Sequence, residues 1–450
     1  MNLQNKQARL QLISLIIGIF LTVYKIHVSI NLEPVVDPYD SPSYFNFKLL
    51  GGVRMPIITF IFSSLNTHES IIIFHTVFSA ICWIILSQTI FVIRVHLGLA
   101  FLISLLTLSL GFSNQVYLLD GFINAESLNI SVLVLLISSL IILVVKKSFL
   151  AYFLFYFSVI FYAGIKSINA LSGVFIVMII TAFIYINSNL TKKAFTFIFG
   201  MSCFLVSVLF YLFIKVDATP ILNTSALINQ RIWNVNSWKT FALEEGFPIQ
   251  ARSTYVRFKA RDLGIPPDAA VSRQPDYKKW YEDEGGKRFL VKFMASNPGY
   301  TLLGPIAFPI FDQNYSLGQT IWGGASTGIL NSEIHGSVWY KAWPANVIFW
   351  SSNRATGYLQ FSLFLLIISI ALFPTFNSGK TDKDIQKIIM ILMVIGLQGS
   401  YFAWWFGSTP TDIGRHQFPF AVITRIAFIL SILHLGKIVF DRIQKVKLKN

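Results

Sequence analysis

Long apolar runs separated by short polar segments recur from Leu10 almost to the C-terminal tail. A helix crossing the hydrocarbon core needs about 20 mainly apolar residues, each adding about 1.5 Å. On that measure spans are expected over 10–30, 70–93, 97–113, 126–145, 149–165, 169–187, 194–216, 356–374, 387–406 and 418–437, of which 97–113 and 149–165 are the shortest. The pattern predicts an all-α polytopic membrane protein with about ten transmembrane helices. The first run follows Lys6 and Arg9, as in a signal peptide, but it is long and no small-x-small cleavage pattern follows, so a retained span is expected.

The short loops then assign sides. Arg94, Lys146 with Lys147, Lys192 with Lys193, the group Lys380, Lys383 and Lys387, and the tail from Lys437 all fall on the side of the N-terminus, where the positive-inside rule puts the cytoplasm. Short segments on the other side carry few cations: Lys48, Arg54, Lys166 and Arg415. The expected arrangement is N-in and C-in, a multi-pass protein of the plasma (inner) membrane. An N-terminal transmembrane module over 1–216 would include a first outer loop, 31–68, with an interfacial helix in its later part. A large mixed extracytoplasmic loop follows over 217–355, and a C-terminal transmembrane module over 356–450.

Composition agrees. Hydrophobic residues make up 54% and charged residues 13% of the chain, against roughly 45–50% and about 25% in soluble domains. A formal charge of +15 would point to nucleic acid in a soluble protein. Here the cations cluster at helix ends, where they set orientation and meet anionic headgroups, so membrane lipids and not nucleic acid are the partners implied. Cys82 and Cys203 lie inside apolar runs and offer neither a disulfide framework nor a metal-ligand spacing. Nothing resembles a Gly-x-Gly-x-x-Gly or P-loop motif, which gives no support to a nucleotide-driven engine.

Candidate chemistry gathers on the expected outer side. The first outer loop holds Glu33, Asp37, Asp40, Tyr44 and Arg54, and the second holds Asp120 and Glu126 just before the fourth span. Taken singly, Asp120 and Glu126 suit helix capping and the positive end of a helix dipole. Together, two acidic outer loops beside apolar spans suit a shared site with a general base for an acceptor hydroxyl. Lys166, Arg415 and His416 would supply cations for a lipid-linked phosphate. Arg425 falls within the last span, where an arginine marks either a functional site or a pairing with a neighbouring helix. Lys25 lies near the outer end of span one, where snorkelling explains it.

The run Asp37-Pro-Tyr-Asp40-Ser41-Pro-Ser43-Tyr44, leading to Gly51-Gly52-Val-Arg54-Met-Pro56, resembles the first outer loop of GT-C superfamily glycosyltransferases, in the branch of protein mannosyltransferases and aminoarabinose transferases. Asn124-Ala-Glu126-Ser127-Leu resembles the Thr-Glu-Ser/Pro-Leu element of those proteins, and Ser296-Asn297-Pro298-Gly-Tyr300 their His-Pro-x-x-Tyr-like stretch. The resemblance implies a membrane glycosyltransferase moving a sugar from a polyprenyl-phosphate-linked donor to an extracytoplasmic glycan, lipid or protein acceptor. It also implies a first-loop carboxylate as base, which is Asp40 or the competing Asp37, with Glu126 in support. Tyr44, Arg54, Asp120, Lys166, His335, Arg415 and His416 would contact substrate. Family members commonly place paired acidic residues together after span one, whereas Pro38-Tyr39 separates Asp37 from Asp40 here.

The long outer segment carries Trp233, Trp238, Trp280, Trp322, Trp339, Trp343 and Trp350, which suit interface anchoring or stacking on sugar faces. Arg252 to Lys292 mixes both charges and reads as a solvated helical subdomain. Gly299 to Phe311 is apolar but short and Pro-interrupted, and is expected to be interfacial or re-entrant. Glu333 and His335 could bind a divalent cation or help acid–base work, and an i, i+2 pair faces one side only in an extended segment, so no metal site is assigned. Two other functions fit a membrane protein of this layout. A lipid-linked polysaccharide polymerase or O-antigen ligase would rely on outer basic residues and His335. A lipid or polysaccharide transporter without covalent chemistry would show inverted repeats, and no such repeat is evident.

Overall fold

The helices of the computed structural model follow the apolar runs. The structure describes residues 3–30, 36, 41–48, 54–186, 190–213, 219–261, 267–305, 348–350, 354–373, 379–406 and 410–447. In the N-terminal part these form α1 (Leu3–Ile30), α2 (Ser41–Tyr44), α3 (Pro56–Leu65), α4 (His68–Ile90), α5 (Leu97–Gly111), α6 (Asn114–Asp120), α7 (Glu126–Lys146), α8 (Phe149–Ala163), α9 (Ser167–Ile186) and α10 (Leu190–Phe213). A second group comprises α11 (Thr219–Gln230), α12 (Asn236–Glu244), α13 (Ile249–Arg261), α14 (Pro267–Ser272), α15 (Pro275–Asp283) and α16 (Gly286–Ser296). The C-terminal part has α17 (Arg354–Leu372), α18 (Lys380–Phe406) and α19 (Pro410–Lys447).

Each expected span coincides with a helix. Among the described residues, five stretches are long and apolar enough to cross a membrane: Asn5–Ile30, His68–Ile90, Glu126–Lys146, Lys380–Trp405 and Phe418–Val446. Leu97–Gly111, Phe149–Ala163, Asn169–Ala182, Thr196–Phe210 and Leu359–Leu372 are apolar but shorter. An all-helical chain with this content is built as a membrane-embedded protein, because helices satisfy their backbone groups internally. Its hydroxyls follow the same rule. Thr89 donates to Ile85 O at 2.7 Å, Ser138 to Val134 O at 2.8 Å and Ser158 to Leu154 O at 2.7 Å.

Local signals fix several boundaries. Thr67 caps α4 by accepting from Ser70 N at 3.2 Å, and Ser148 caps α8 by accepting from Ala151 N at 3.3 Å. α18 begins before the expected 387 because Asp382, in its first turn, accepts from Gly379 N at 3.1 Å. α7 lies at the centre of the bundle, packed by α4, α8, α18 and α19. α1 is peripheral: Ser14 hydrogen-bonds Ser104 at 2.6 Å inward, while Phe20 is 78% exposed on the face that lipid would cover.

The first-loop helix α3 has ten residues, about 15 Å of rise and half of what a span needs. Ile58, Thr59 and Phe62 are buried while Phe60 is exposed, the one-sided burial expected of a surface helix.

The second group of helices encloses its own core of Ile228, Ile232, Phe247, Tyr255, Tyr277, Trp280, Phe289 and Phe293. This corrects one expectation. Trp280 is neither an interface anchor nor a sugar platform, since it is 1% exposed with Nε1 donating to Glu245 O at 2.8 Å. Trp238 is only partly buried and meets Phe293 and Tyr300 edge-on. The subdomain rests on the C-terminal end of α18, where Trp404 Nε1 donates to Tyr300 O at 2.9 Å and Trp405 Nε1 to Thr301 O at 3.0 Å. Arg231 stacks on Trp404 at 4.3 Å and donates to its carbonyl at 3.0 Å. Tyr300, in the stretch likened to a His-Pro-x-x-Tyr element, is therefore part of this seam. Trp322, Trp339 and Trp343 lie outside the described residues.

At the other end of the bundle, Lys437 of α19 pairs with Asp382 of α18 at 2.9 Å, and His434 Nδ1 lies 3.0 Å from Ala371 O of α17. These contacts join the three C-terminal helices.

Candidate functional site

The start of α7 organises the polar residues of the expected outer side. Asn124 Oδ1 accepts from Glu126 N at 2.9 Å and fixes the chain where it enters the helix. Two carboxylates then lie on either side of that entrance, each with a lysine.

Asp120 pairs with Lys25 of α1 at 2.6 Å, and Ser127 Oγ donates to the same carboxylate at 2.5 Å. Lys25 also donates to Ser79 at 3.3 Å and approaches the rings of Phe112 at 5.4 Å and Tyr117 at 5.8 Å. Both charged side chains are almost wholly buried, 3% and 2% exposed. Lys25 therefore does not snorkel to the interface. Its ammonium reaches Asp120, which compensates the charge inside the bundle. Asp120 is correspondingly a closed structural ion pair and not a helix cap.

Glu126 pairs with Lys166, from the turn between α8 and α9, at 2.5 Å, with exposures of 5% and 12%. One turn deeper, Asn169 Nδ2 donates to Asn129 Oδ1 at 2.7 Å and to Tyr162 O at 3.0 Å, tying α9 to α7. Deeper again, Ser172 donates to Gln398 of α18 at 3.2 Å. Lys166, Asn169 and Ser172 thus form a polar row along one side of α9, spaced at about a helical turn.

The first outer loop is packed onto this region. Arg54 Nε donates to Ser43 Oγ at 2.7 Å and its guanidinium lies 4.7 Å from the Tyr44 ring centroid. Tyr44 packs on Phe62 at 5.4 Å, and Phe62 on the fully buried His75 of α4 at 5.5 Å. Ile57 lies directly against Gly164, so closely that a Cβ there would overlap the Ile57 side chain. Gly164 is two residues before Lys166, and the glycine is what lets α3 settle on the Lys166 turn. Four expected residues, Tyr44, Arg54, Glu126 and Lys166, are therefore carried by elements packed on one another.

The other expectations separate. Asp37, Asp40, Glu333 and His335 lie outside the described residues, as do the side chains of Arg415 and His416 on α19. Among the described residues no three His, Cys, Asp or Glu side chains gather as a metal site. Arg425 is fully buried and its role is to hold the chain. Nε donates to Phe349 O at 2.7 Å, Nη1 to Ala421 O at 2.9 Å, and the guanidinium stacks 3.8 Å from the Trp350 ring centroid. Trp350 in turn donates to Ser113 at 3.0 Å, so the end of the long outer segment is clamped into the bundle instead of anchoring at an interface. Residues not singled out from sequence include Ser79, Asn129, Asn169 and His75. Ser79, Asn129 and Asn169 each find a hydrogen-bond partner on another helix, and His75 packs its ring on Phe62 of α3.

Outside the spans, burial lowers the Arg231 pKa and pushes the Tyr300 phenol up to about 12, with each charge moderating the other's shift. No family model matches the chain, and no curated protein matches its sequence.

Proposed function

We propose that the chain is a ten-span, N-in/C-in membrane glycosyltransferase that uses a polyprenyl-phosphate-linked sugar at the extracytoplasmic face. The observation that carries this reading is the convergence of the first outer loop, through α3 and Gly164, on the Glu126–Lys166 pair. A carboxylate, a lysine and an arginine-bearing loop at one end of a helical bundle match what the reaction needs. The acceptor oxygen attacks the anomeric carbon, and the bond to the phosphate oxygen breaks with its electron pair leaving on polyprenyl phosphate. The acceptor proton passes to a carboxylate. Asp40 or Asp37 is the base in this scheme, with Glu126 in support. Lys166 and Arg54 neutralise the phosphate through charge-assisted hydrogen bonds, and the acceptor is an extracytoplasmic glycan, lipid or protein.

The test is sugar transfer from a lipid-linked donor in membranes by Asp40→Asn, Asp37→Asn and Glu126→Gln. At least one first-loop variant should lose activity by about 100-fold or more, the ordinary scale of general-base catalysis. Full activity in all three would refute the mechanism.

A further inference from the structure

After α16 the chain makes one turn of π-helix, Gly299–Leu303, and continues to Pro305 against the C-terminal end of α18. Four side chains of α18 donate to the carbonyls of this segment. Trp405 Nε1 reaches Thr301 O at 3.0 Å, Trp404 Nε1 reaches Tyr300 O at 2.9 Å, Tyr401 OH reaches Leu302 O at 2.9 Å and Ser400 Oγ reaches Pro305 O at 3.2 Å. The segment therefore runs back along α18, from the helix end toward its middle. Ser400 lies more than a turn inside the apolar stretch Lys380–Trp405. Pro305 has no N–H, so the turn cannot give Tyr300 O its own backbone donor, and the Trp404 indole takes that place. Gly304 permits the approach, since a Cβ there would overlap the Trp404 ring.

On a water-facing surface these carbonyls would be hydrated and would need nothing from α18. In hydrocarbon an unpaired carbonyl is costly, and irregular backbone persists at that depth only where protein satisfies it. The side chains divide in the same sense. Tyr300 is buried in the subdomain core, packed on Phe293 at 4.9 Å, whereas Leu302 and Leu303 are 56% and 65% exposed. The two bare leucines stand beside Tyr401 and Trp405, residue types that gather at the edge of a bilayer. We propose that Leu302–Pro305 is a membrane foot, through which the helical subdomain is seated among lipid acyl chains, with Leu302 and Leu303 as the inserted side chains. The foot joins the subdomain to the bilayer as well as to α18. It depends on acyl-chain contact and not on any ligand, and so stands whether or not the chain transfers sugar.

Depth is the quantity to measure, on the full-length protein in dioleoylphosphatidylcholine vesicles. With Cys82→Ala and Cys203→Ala removing the native thiols, a nitroxide is attached at Leu302→Cys or Leu303→Cys. Oxygen collects among acyl chains and a nickel chelate stays in water, so their relative effects on the nitroxide report its depth. Phe20→Cys, on the exposed face of α1, and Lys279→Cys, 70% exposed on α15, serve as lipid and water references. Labels at 302 and 303 should lie about 5–10 Å below the lipid phosphates, with an oxygen preference like that at Phe20. Readings like those at Lys279 overturn the proposal. So do labels shielded from both reagents, because protein would then cover the leucines. Cross-linking of the unsubstituted protein by a phosphatidylcholine with a diazirine on its acyl chain tests the same contact without cysteines. Adducts within Leu302–Pro305 are expected, and adducts on α17–α19 with none in that segment would overturn the foot.

Discussion

Replacing Lys25 by methionine separates a buried ion pair from a snorkelling lysine. Its ammonium lies 2.6 Å from the Asp120 carboxylate, with both side chains almost wholly enclosed. At that separation the gross attraction is about 6 kcal/mol for an effective dielectric of about 20. Much of it is offset by the cost of desolvating both charges. The variant loses more than the net value of the pair, because Asp120 stays buried with Ser127 as its remaining charge-compensating donor. Removing one partner of such a pair costs about 3–5 kcal/mol, whereas a lysine reaching the headgroups would cost within about 0.5 kcal/mol. The assay is reversible unfolding in micelles of wild type, Lys25→Met, Asp120→Asn and the double variant. Each single change should destabilise strongly, and the double should recover about 2–3 kcal/mol of their sum, within the range of coupled contacts. Additive costs, or a Lys25→Met protein as stable as wild type, would refute the pairing.

Arg425→Met should cost about 3 kcal/mol in the same unfolding assay, since Phe349 O loses a charge-assisted donor and Trp350 its stacked guanidinium. Arg425→Lys should fail to restore it, because an ammonium lacks the planar fork. Gly164→Ala should cost about 1–3 kcal/mol by overpacking against Ile57, with Ile57→Ala added to it recovering most of the loss. A Gly164→Ala protein of unchanged stability would contradict the close approach. Tyr300 is harder to ionise folded than unfolded, so its contribution is complete below pH ~10 and is lost as pH rises toward ~12, a change of about 2–3 kcal/mol. Unfolding across that window should be steeper in wild type than in Tyr300→Phe, and ultraviolet titration of phenolate should place Tyr300 among the last tyrosines to ionise.

The helices were readable because hydrocarbon thickness imposes a length that one chain displays without reference to any other. Partners across helices were not. Lys25 stands near a span end, and snorkelling and pairing leave the same trace in sequence. Its true partner, Asp120, is on another element and reads in sequence as a helix cap or a substrate contact, not as the partner of Lys25. Trp280 was counted with the interface aromatics because composition cannot distinguish a tryptophan facing lipid from one closing a subdomain core. Asn129 and Asn169 passed unnoticed, since a lone amide in an apolar run carries no signal until the facing helix is known. Glu126, Lys166, Arg54 and Tyr44 were legible as outer polar residues. What sequence did not provide was Ile57 against Gly164, the contact that brings their elements together.

The most direct test of the account is a structure of the full chain with a polyprenyl phosphate bound. The account predicts its phosphate at the outer ends of α7 and α9, within hydrogen-bonding distance of Lys166. A phosphate at the opposite end of the bundle, beside Lys437 and Asp382, would contradict both the orientation and the site.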